Sequence, residues 1–326
     1  LSGAALGFGL QRRTLRRLKM ESLLSLWYKC GAADLFKGEP RFLPRHREED
    51  GSVYEGVWDV FLYDGVGAPS SKDRFIFKKA KDLEAEIYKT FLFPEKPYAP
   101  RLFGTCREGD DIFLLMEFVE GENLQRPTKR KLLLAVRALA AMQEEYWQNT
   151  ALISSGLTFE KSFSSLKQRR QYLLSPLLER HFDEFLALYE RLPRTLCHDD
   201  LLPFNLIVNG KEERAVLLDW EAGGILPYPV SFSRLIAHGR EHYELFRMTK
   251  EQRAYAVEQY FAQFVSRRGI SRREYLHALS YFVFAETCEW VFVGNKHGRE
   301  DCPYFSRYLR AALQMARALE RGELLF

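Results

Sequence analysis

Residues 195–221, T-L-C-H-D-D-L-L-P-F-N-L-I-V-N-G-K-E-E-R-A-V-L-L-D-W-E, constrain the fold more than any other stretch of the chain. His198, Asp200 and Asn205 follow the spacing H-x-D-x-x-x-x-N, and Asp219 comes fourteen residues after Asn205. Between these polar residues run two short apolar segments, Leu206-Ile207-Val208 and Ala215-Val216-Leu217-Leu218. Asn209-Gly210 separates them and reads as a tight turn, so a small β-hairpin is expected. The pattern is therefore a loop carrying an Asp and an Asn, then a hairpin, then a second Asp.

Upstream, the texture from residue 53 is that of a sheet. Val53–Tyr63 is rich in β-branched and aromatic residues and reads as strand. Residues 64–72 hold two Gly, a Pro and two Ser and read as loop. Arg74–Lys79 is a second strand ending in two lysines, and the alternation of strand side chains puts Lys78 and Lys79 on opposite faces. Residues 82–91 read as helix, stopped by Pro94, Pro97 and Pro100, and Phe113–Phe118 is a further strand broken by Glu120-Gly121-Glu122. Residues 21–36 allow a short helix before the sheet.

Downstream the texture is helical. Residues 127–148 place Leu132, Val136, Leu139, Ala140 and Met142 near a period of 3.6, with Pro127 close to the start. Residues 158–192 give two more helices broken near Ser175-Pro176, and residues 231–326 are almost wholly helical. The boundary between the mixed part and the helical part is expected at 118–122, the natural place for a hinge. At 326 residues the chain is long enough for two such lobes, each with its own core.

Composition excludes several classes. The net charge of +4, from 48 basic and 44 acidic residues with no long basic block, gives no case for nucleic acid. No apolar run approaches the roughly 20 residues needed to span a bilayer, so stable membrane insertion is not expected. Five scattered cysteines (Cys30, Cys106, Cys197, Cys288, Cys302) with no C-x-x-C pair suit a reducing cytoplasm and indicate neither a disulfide framework nor a zinc site. At the N-terminus a weakly apolar Leu1–Leu10 precedes Arg12, Arg13, Arg16, Arg17 and Lys19, the wrong order for a secretory signal. Residues 1–19 are read as an extension upstream of a natural start near Met20, with a basic amphipathic helix as the other reading.

H-D-D-L-L-P-F-N followed by L-L-D-W-E resembles the aminoglycoside phosphotransferase and choline kinase-like superfamily, whose central motif is H-G-D-x-x-x-x-N with a following Asp. The resemblance covers residues 53–240, taking in the strand lysine, the M-E-F-V-E-G-E hinge and the central motif in order. It implies an α+β, bilobal protein kinase-like fold. A small antiparallel-sheet N-lobe with one main helix (20–118) would bind nucleotide, and a larger, mostly helical C-lobe (119–326) would carry the catalytic loop and the acceptor site. Protein kinases carry H-R-D-L-K-P-x-N and D-F-G, whereas here Leu202 replaces the lysine, Trp220-Glu221 replaces F-G, and no A-P-E follows. A small-molecule kinase is therefore favoured, with ATP (or GTP) and Mg2+ as cofactors and a small-molecule hydroxyl as acceptor.

By resemblance, Asp200 is the base that receives the acceptor proton, and Asn205 and Asp219 are the magnesium ligands. Lys78, in the position of the lysine of V-A-I-K, is the ligand of the α- and β-phosphates. Its carboxylate partner is Glu84 or Glu86, with Glu84 preferred because it shares a helix face with Tyr88. Adenine would meet backbone groups from Glu117 to Val119. His198, grouped with Asp200 in the catalytic loop, is expected to hold that loop by hydrogen bonds, and Cys197 to be a buried small hydrophobe. Physical chemistry agrees: magnesium takes hard oxygen ligands and keeps several waters, so one carboxylate and one amide beside the phosphates suffice, and phosphoryl transfer is mostly positioning and charge neutralisation. The chain departs from the family at Asp199, where Gly is usual, and at Ser231-Phe232-Ser233, where an Asp often anchors the fold. No G-x-G-x-x-G is present, and residues 47–57, with Gly51 and Ser52, are the stretch expected to cover the phosphates.

Rival readings are weaker. His198-Asp199 as the metal pair of an HD-type phosphohydrolase needs further His ligands, and His46, His181, His238, His242, His277 and His297 do not form such a cluster. A nucleotide-binding pseudokinase or adaptor would lack part of the set Lys78, Asp200, Asn205 and Asp219, all of which are present. For the acceptor, Phe282, Glu286, Glu289 and Trp290 fall on one helix face. Aromatic rings plus carboxylates there suggest an amine-bearing acceptor, such as an aminoglycoside, a choline-like compound or an amino sugar; the competing reading makes the rings helix core and the glutamates solvated. Oligomeric state is not legible.

Overall fold

The computed structural model describes residues 22–47, 53–63, 73–149, 159–237, 248–300, 302 and 304–326. Residues 1–19, most of the expected phosphate-covering stretch (48–52) and the 64–72 loop lie outside the described residues. The chain divides into two compact units, Leu1–Glu120 and Gly121–Phe326.

The first unit is built on one five-stranded antiparallel sheet in the order β1-β2-β3-β5-β4. Its strands are β1 (Glu39–Arg47), β2 (Val53–Tyr63), β3 (Arg74–Ala80), β4 (Leu102–Glu108) and β5 (Asp111–Glu117). The three strands expected from sequence are the three inner ones; both edges were missed. β1 contains Pro40 and Pro44, which lack the N–H a ladder needs, and an edge strand tolerates this because one side of it is unpaired. The ladder shifts register between Pro44 and His46.

A helix α1 (Asp82–Ile87) follows β3 and widens into a π-helical turn, Tyr88–Leu92. Ile87, Tyr88, Phe91 and Leu92 are all buried, so this short element is held by packing. On the sheet, the ring of Trp27 from helical residues 22–29 lies about 6 Å from those of Phe42, Phe75 and Phe77. Cys30, at the end of that helix, meets Cys106 of β4 with 2.7 Å between the sulfurs. Gly104 lets the helix approach this closely, since a Cβ there would stand 1.9 Å from the Cys30 carbonyl oxygen.

The second unit is mostly helical. It comprises α2 (Lys129–Glu145), α3 (Phe159–Arg170), α4 (Pro176–Arg191), α5 (Pro229–Ala237), α6 (Lys250–Gln263), α7 (Arg272–His297) and α8 (Phe305–Glu320). The break expected near Ser175-Pro176 is the start of α4, with the proline in its first turn, where its missing N–H costs nothing. Thr249 and Ser271 begin α6 and α7 with capping boxes to Gln252 and Glu274. Two small antiparallel ribbons lie among the helices. One pairs β7 (Arg194–His198) with β10 (Gly223–Pro227); the other is the order β6-β8-β9, from Glu122–Asn123, Leu206–Asn209 and Arg214–Leu217.

The hairpin forms, but its connection is longer than the two-residue turn expected. Asn209 pairs with Arg214, leaving residues 210–213 as the loop. The Asn209 side chain accepts from the N–H groups of Lys211 and Glu212 (3.0 and 3.2 Å), so the asparagine organises an open loop and Glu213 takes the positive φ of 52°. Gly121 starts the second unit at φ +146°, where a Cβ would lie 2.5 Å from the Val208 carbonyl oxygen. That contact requires glycine.

Candidate active site

β7 delivers His198 into the core at 0% exposure. Its Nε2 lies 2.7 Å from the Leu218 carbonyl, and its Nδ1 lies 3.3 Å from the Asp200 N–H. A carbonyl can only accept and an N–H can only donate, so these partners fix the neutral, Nε2-protonated tautomer. Burial lowers the pKa of the imidazole and keeps it neutral. Both nitrogens are committed, and the ring packs 4.8 Å from that of Trp220. The backbone N–H of His198 donates to Ser231 Oγ at 2.8 Å, so the serine of S-F-S anchors the strand at this point. Cys197, 0% exposed, is pushed up to about 12 by burial.

Asp200 is held through several atoms at once. Its carbonyl accepts from Leu202 N (2.8 Å) and from Asn205 Nδ2 (2.9 Å), and its Oδ1 accepts from Arg234 Nη2 (3.0 Å). The short 3-10 turn Pro203–Asn205 brings Asn205 back to Asp200, and the amide nitrogen is the end that faces it. Leu218 N donates to the Asn205 carbonyl (2.8 Å), which ties the end of the hairpin to the same turn. The next residue, Asp219, adopts φ 62°, ψ 65°, a left-handed conformation that costs a non-glycine residue roughly 1–3 kcal/mol. The fold imposes it there: Trp220 is fully buried and donates from Nε1 to the Leu217 carbonyl (3.0 Å), and Asp199 N donates to the Ala222 carbonyl (2.7 Å). Asp199 itself lines a cavity, and burial, with Glu286 next in effect, pushes its carboxyl up to about 7.

In the first unit, Lys78 lies 2.9 and 2.8 Å from the two carboxylate oxygens of Glu84, which is 1% exposed. Lys79 points to the other side, where it pairs with Asp111 at 2.6 Å. Glu117 ends β5 with its backbone N–H on the Arg101 carbonyl (2.9 Å) and its carboxylate accepting from Arg101 N (3.0 Å). Val119 follows in irregular, half-buried chain.

The expected acceptor face of α7 is arranged differently from the amine site its sequence suggests. Glu286 and Glu289 do share a face, but both are bound by the same cation, Arg234 of α5: Nη1 donates to Glu286 at 2.8 Å and also to Glu289. Arg169 lies 3.6 Å from Glu289 as well. Burial disfavours the guanidinium charge, but Glu286 and Glu289 outweigh it and hold Arg234 protonated. Trp290 turns away, its ring 5.1 Å from that of Tyr304 and 6.0 Å from that of Tyr308, while Phe282 is core at 2% exposure. Arg234 was not singled out from sequence. The available signal was a lone charged residue in the apolar helix P-V-S-F-S-R-L-I-A, since an arginine buried in such a helix needs anionic partners.

A cavity of about 220 Å3 lies within the second unit beside this cluster, and Asp199, Arg169, Arg234, Glu286 and Glu289 are among its lining. Among the described residues no group of three or more His, Cys, Asp or Glu side chains is placed to hold a metal. A magnesium ion beside nucleotide phosphates takes only one or two protein carboxylates, so the oxygen donors Asn205 and Asp219, on adjoining turns, fit it. No helix among the described residues is long and apolar enough to cross a membrane.

Residues 77–263, more than half of the chain, match the profile of the phosphotransferase enzyme family, and the chain belongs to that family. The fold is the bilobal, protein kinase-like one of solved small-molecule kinases. An amicoumacin kinase in complex with AMP-PNP, Ca2+ and Ami superposes with a TM-score of 0.59 at 10% identity, over 93% of this chain and 96% of that one. An aminoglycoside phosphotransferase from Alicyclobacillus acidocaldarius gives 0.55 at 16% identity, over 88% and 92%. Plasmodium vivax ethanolamine kinase gives 0.54 at 15% identity, over 87% and 83%. A search of curated proteins returns no match.

Proposed function

We propose that the protein transfers the γ-phosphate of ATP (or GTP) to a hydroxyl group of a small molecule, with Asp200 as the base. The observation that carries this reading is the immobilisation of Asp200 through its N–H, its carbonyl and its carboxylate, by His198, Asn205 and Arg234. A base that must meet one hydroxyl proton at hydrogen-bond distance gains from such fixing, because misplacement costs rate steeply. As the acceptor oxygen bonds to phosphorus, Asp200 takes its proton. His198 holds the loop and moves no proton, since both ring nitrogens face backbone groups.

Asn205 and Asp219 would hold Mg2+, the asparagine through Oδ1 because its amide nitrogen faces Asp200. The ion, when bound, neutralises charge on the phosphates. Lys78, steadied by Glu84, would bind the α- and β-phosphates, and backbone from Glu117 to Val119 would receive adenine. The neighbour crystallised with AMP-PNP and Ca2+ supports a nucleotide with a divalent cation. Free thiols at Cys30, Cys106, Cys197, Cys288 and Cys302 suit a reducing compartment such as the cytoplasm.

The test is release of ADP from Mg-ATP in the presence of a panel of hydroxylated metabolites and antibiotics, with Asp200→Ala beside the wild type. Acceptor-dependent release that vanishes in the variant is expected. Release with no acceptor dependence, or equal in the variant, contradicts the assignment.

A further inference from the structure

The charges around the cavity argue about which acceptor it takes, and this step rests on the phosphotransferase reading above. An amine is usually seated on a carboxylate, yet both glutamates are already bound to Arg234, which also holds Asp200. To pair with either glutamate an ammonium would have to displace a guanidinium whose side chain is only 16% exposed, and removing a partner from a buried ion cluster is strongly unfavourable. The described lining balances: Lys161, Arg169 and Arg234 are basic, and Asp199, Glu286 and Glu289 are acidic.

Hydrogen-bond polarity points the same way. The Nε–H of Arg234 is buried and has no acceptor among the described residues. A hydroxyl oxygen can accept from it, whereas an ammonium carries donors only. Size adds a limit. About 220 Å3 is below the roughly 300–1,000 Å3 of sites for drug-sized ligands, so a single ring fits better than a multi-ring antibiotic. Phe185 and Phe282 supply an apolar wall suited to the C–H face of such a ring.

We propose that Arg234 sets the charge class of the acceptor, and that the cavity takes an uncharged, single-ring polyhydroxylated molecule while refusing amines. Carboxylates that would attract an ammonium are neutralised in advance, and recognition passes to hydroxyl groups spaced to meet the guanidinium and the glutamates.

The experiment uses the full chain with Mg-ATP and paired probes that differ in one group: glucose and glucosamine, myo-inositol and an aminocyclitol, glycerol and serinol. In the wild type the neutral member of the best pair should have kcat/KM at least tenfold above its amine partner, with the difference mainly in KM. Calorimetric binding of the same pairs to Arg234→Met, a readout that needs no turnover, should show amine affinity rising at least tenfold as Glu286 and Glu289 are released. A wild-type preference for the amine member, or unchanged amine binding by a folded Arg234→Met, overturns the charge-class proposal and leaves phosphotransfer standing. If the variant does not fold, the wild-type pairs alone decide. Absence of phosphoester from every probe, with Mg-ATP bound, counts against the phosphotransferase reading as well.

Discussion

Lys78 has Glu84 beside it, one ammonium to one carboxylate. Arg234 has Asp200, Glu286 and Glu289, one guanidinium to three. A compact ammonium with three donors can keep its glutamate and still serve phosphate oxygens. A guanidinium whose terminal nitrogens hold three carboxylates has little charge left to offer and acts as a brace that aims Asp200. The same chemistry, a buried ion pair, thus serves binding in one unit and positioning in the other.

The largest effect that sharpens this contrast lies outside both clusters. Asp219→Ala removes the proposed metal carboxylate, and since metal ions contribute several kcal/mol to the transition state, kcat should fall by about 1,000-fold or more. Steady-state rates over a magnesium titration check this; a loss recovered by saturating magnesium would place Asp219 in affinity alone. Next, Lys78→Met takes the cation from a carboxylate that is 1% exposed and should cost about 3–5 kcal/mol of stability, read by denaturant unfolding, besides weakening nucleotide binding. A third comparison sets the clusters side by side. Glu84→Gln should cost about 1–3 kcal/mol, whereas Glu286→Gln should cost less than about 1 kcal/mol because Arg234 keeps Glu289 and Asp200. Equal costs would break the distinction between pair and hub.

The smallest effect is one of pH. Folded Asp199 keeps its proton up to about 7, while an unfolded aspartate releases it near 3.8, so over that window the folded state binds more protons. Its contribution to stability is therefore complete below the lower value and is lost as pH rises towards the upper one. Asp199→Asn should flatten that part of the stability profile. An unchanged slope would mean that Asp199 titrates as an ordinary surface carboxylate.

The two cation centres also differ in how far they were legible in the sequence. Lys78 and Glu84 are six residues apart, on a strand and the helix that follows it, so local pattern pairs them. Arg234 meets its partners 34, 52 and 55 residues away, and no spacing rule joins α5 to the catalytic loop and to α7. The amine pocket expected around Glu286, Glu289 and Trp290 was misread for that reason: the helix face was right, but the cation facing it comes from elsewhere in the chain. Strands show the same division. β2, β3 and β5 carry dense apolar runs because both of their edges are paired, whereas β1 with its prolines and β4 with Gly104 lack that density. The motif from His198 to Asp219 was readable because its spacing is itself the structure: a turn, a hairpin and a strained aspartate in sequence order.

The central assignment is Asp200 as base, and a single-turnover measurement tests it most directly. Enzyme saturated with Mg-ATP is mixed with an acceptor that the wild type phosphorylates, and phosphoester is followed by rapid quench for wild type and Asp200→Asn. A loss of about 100- to 10,000-fold in the transfer step is predicted, the usual range for a general base, with the dissociation constant of Mg-ATP unchanged. A transfer step within a few-fold of wild type would contradict the assignment.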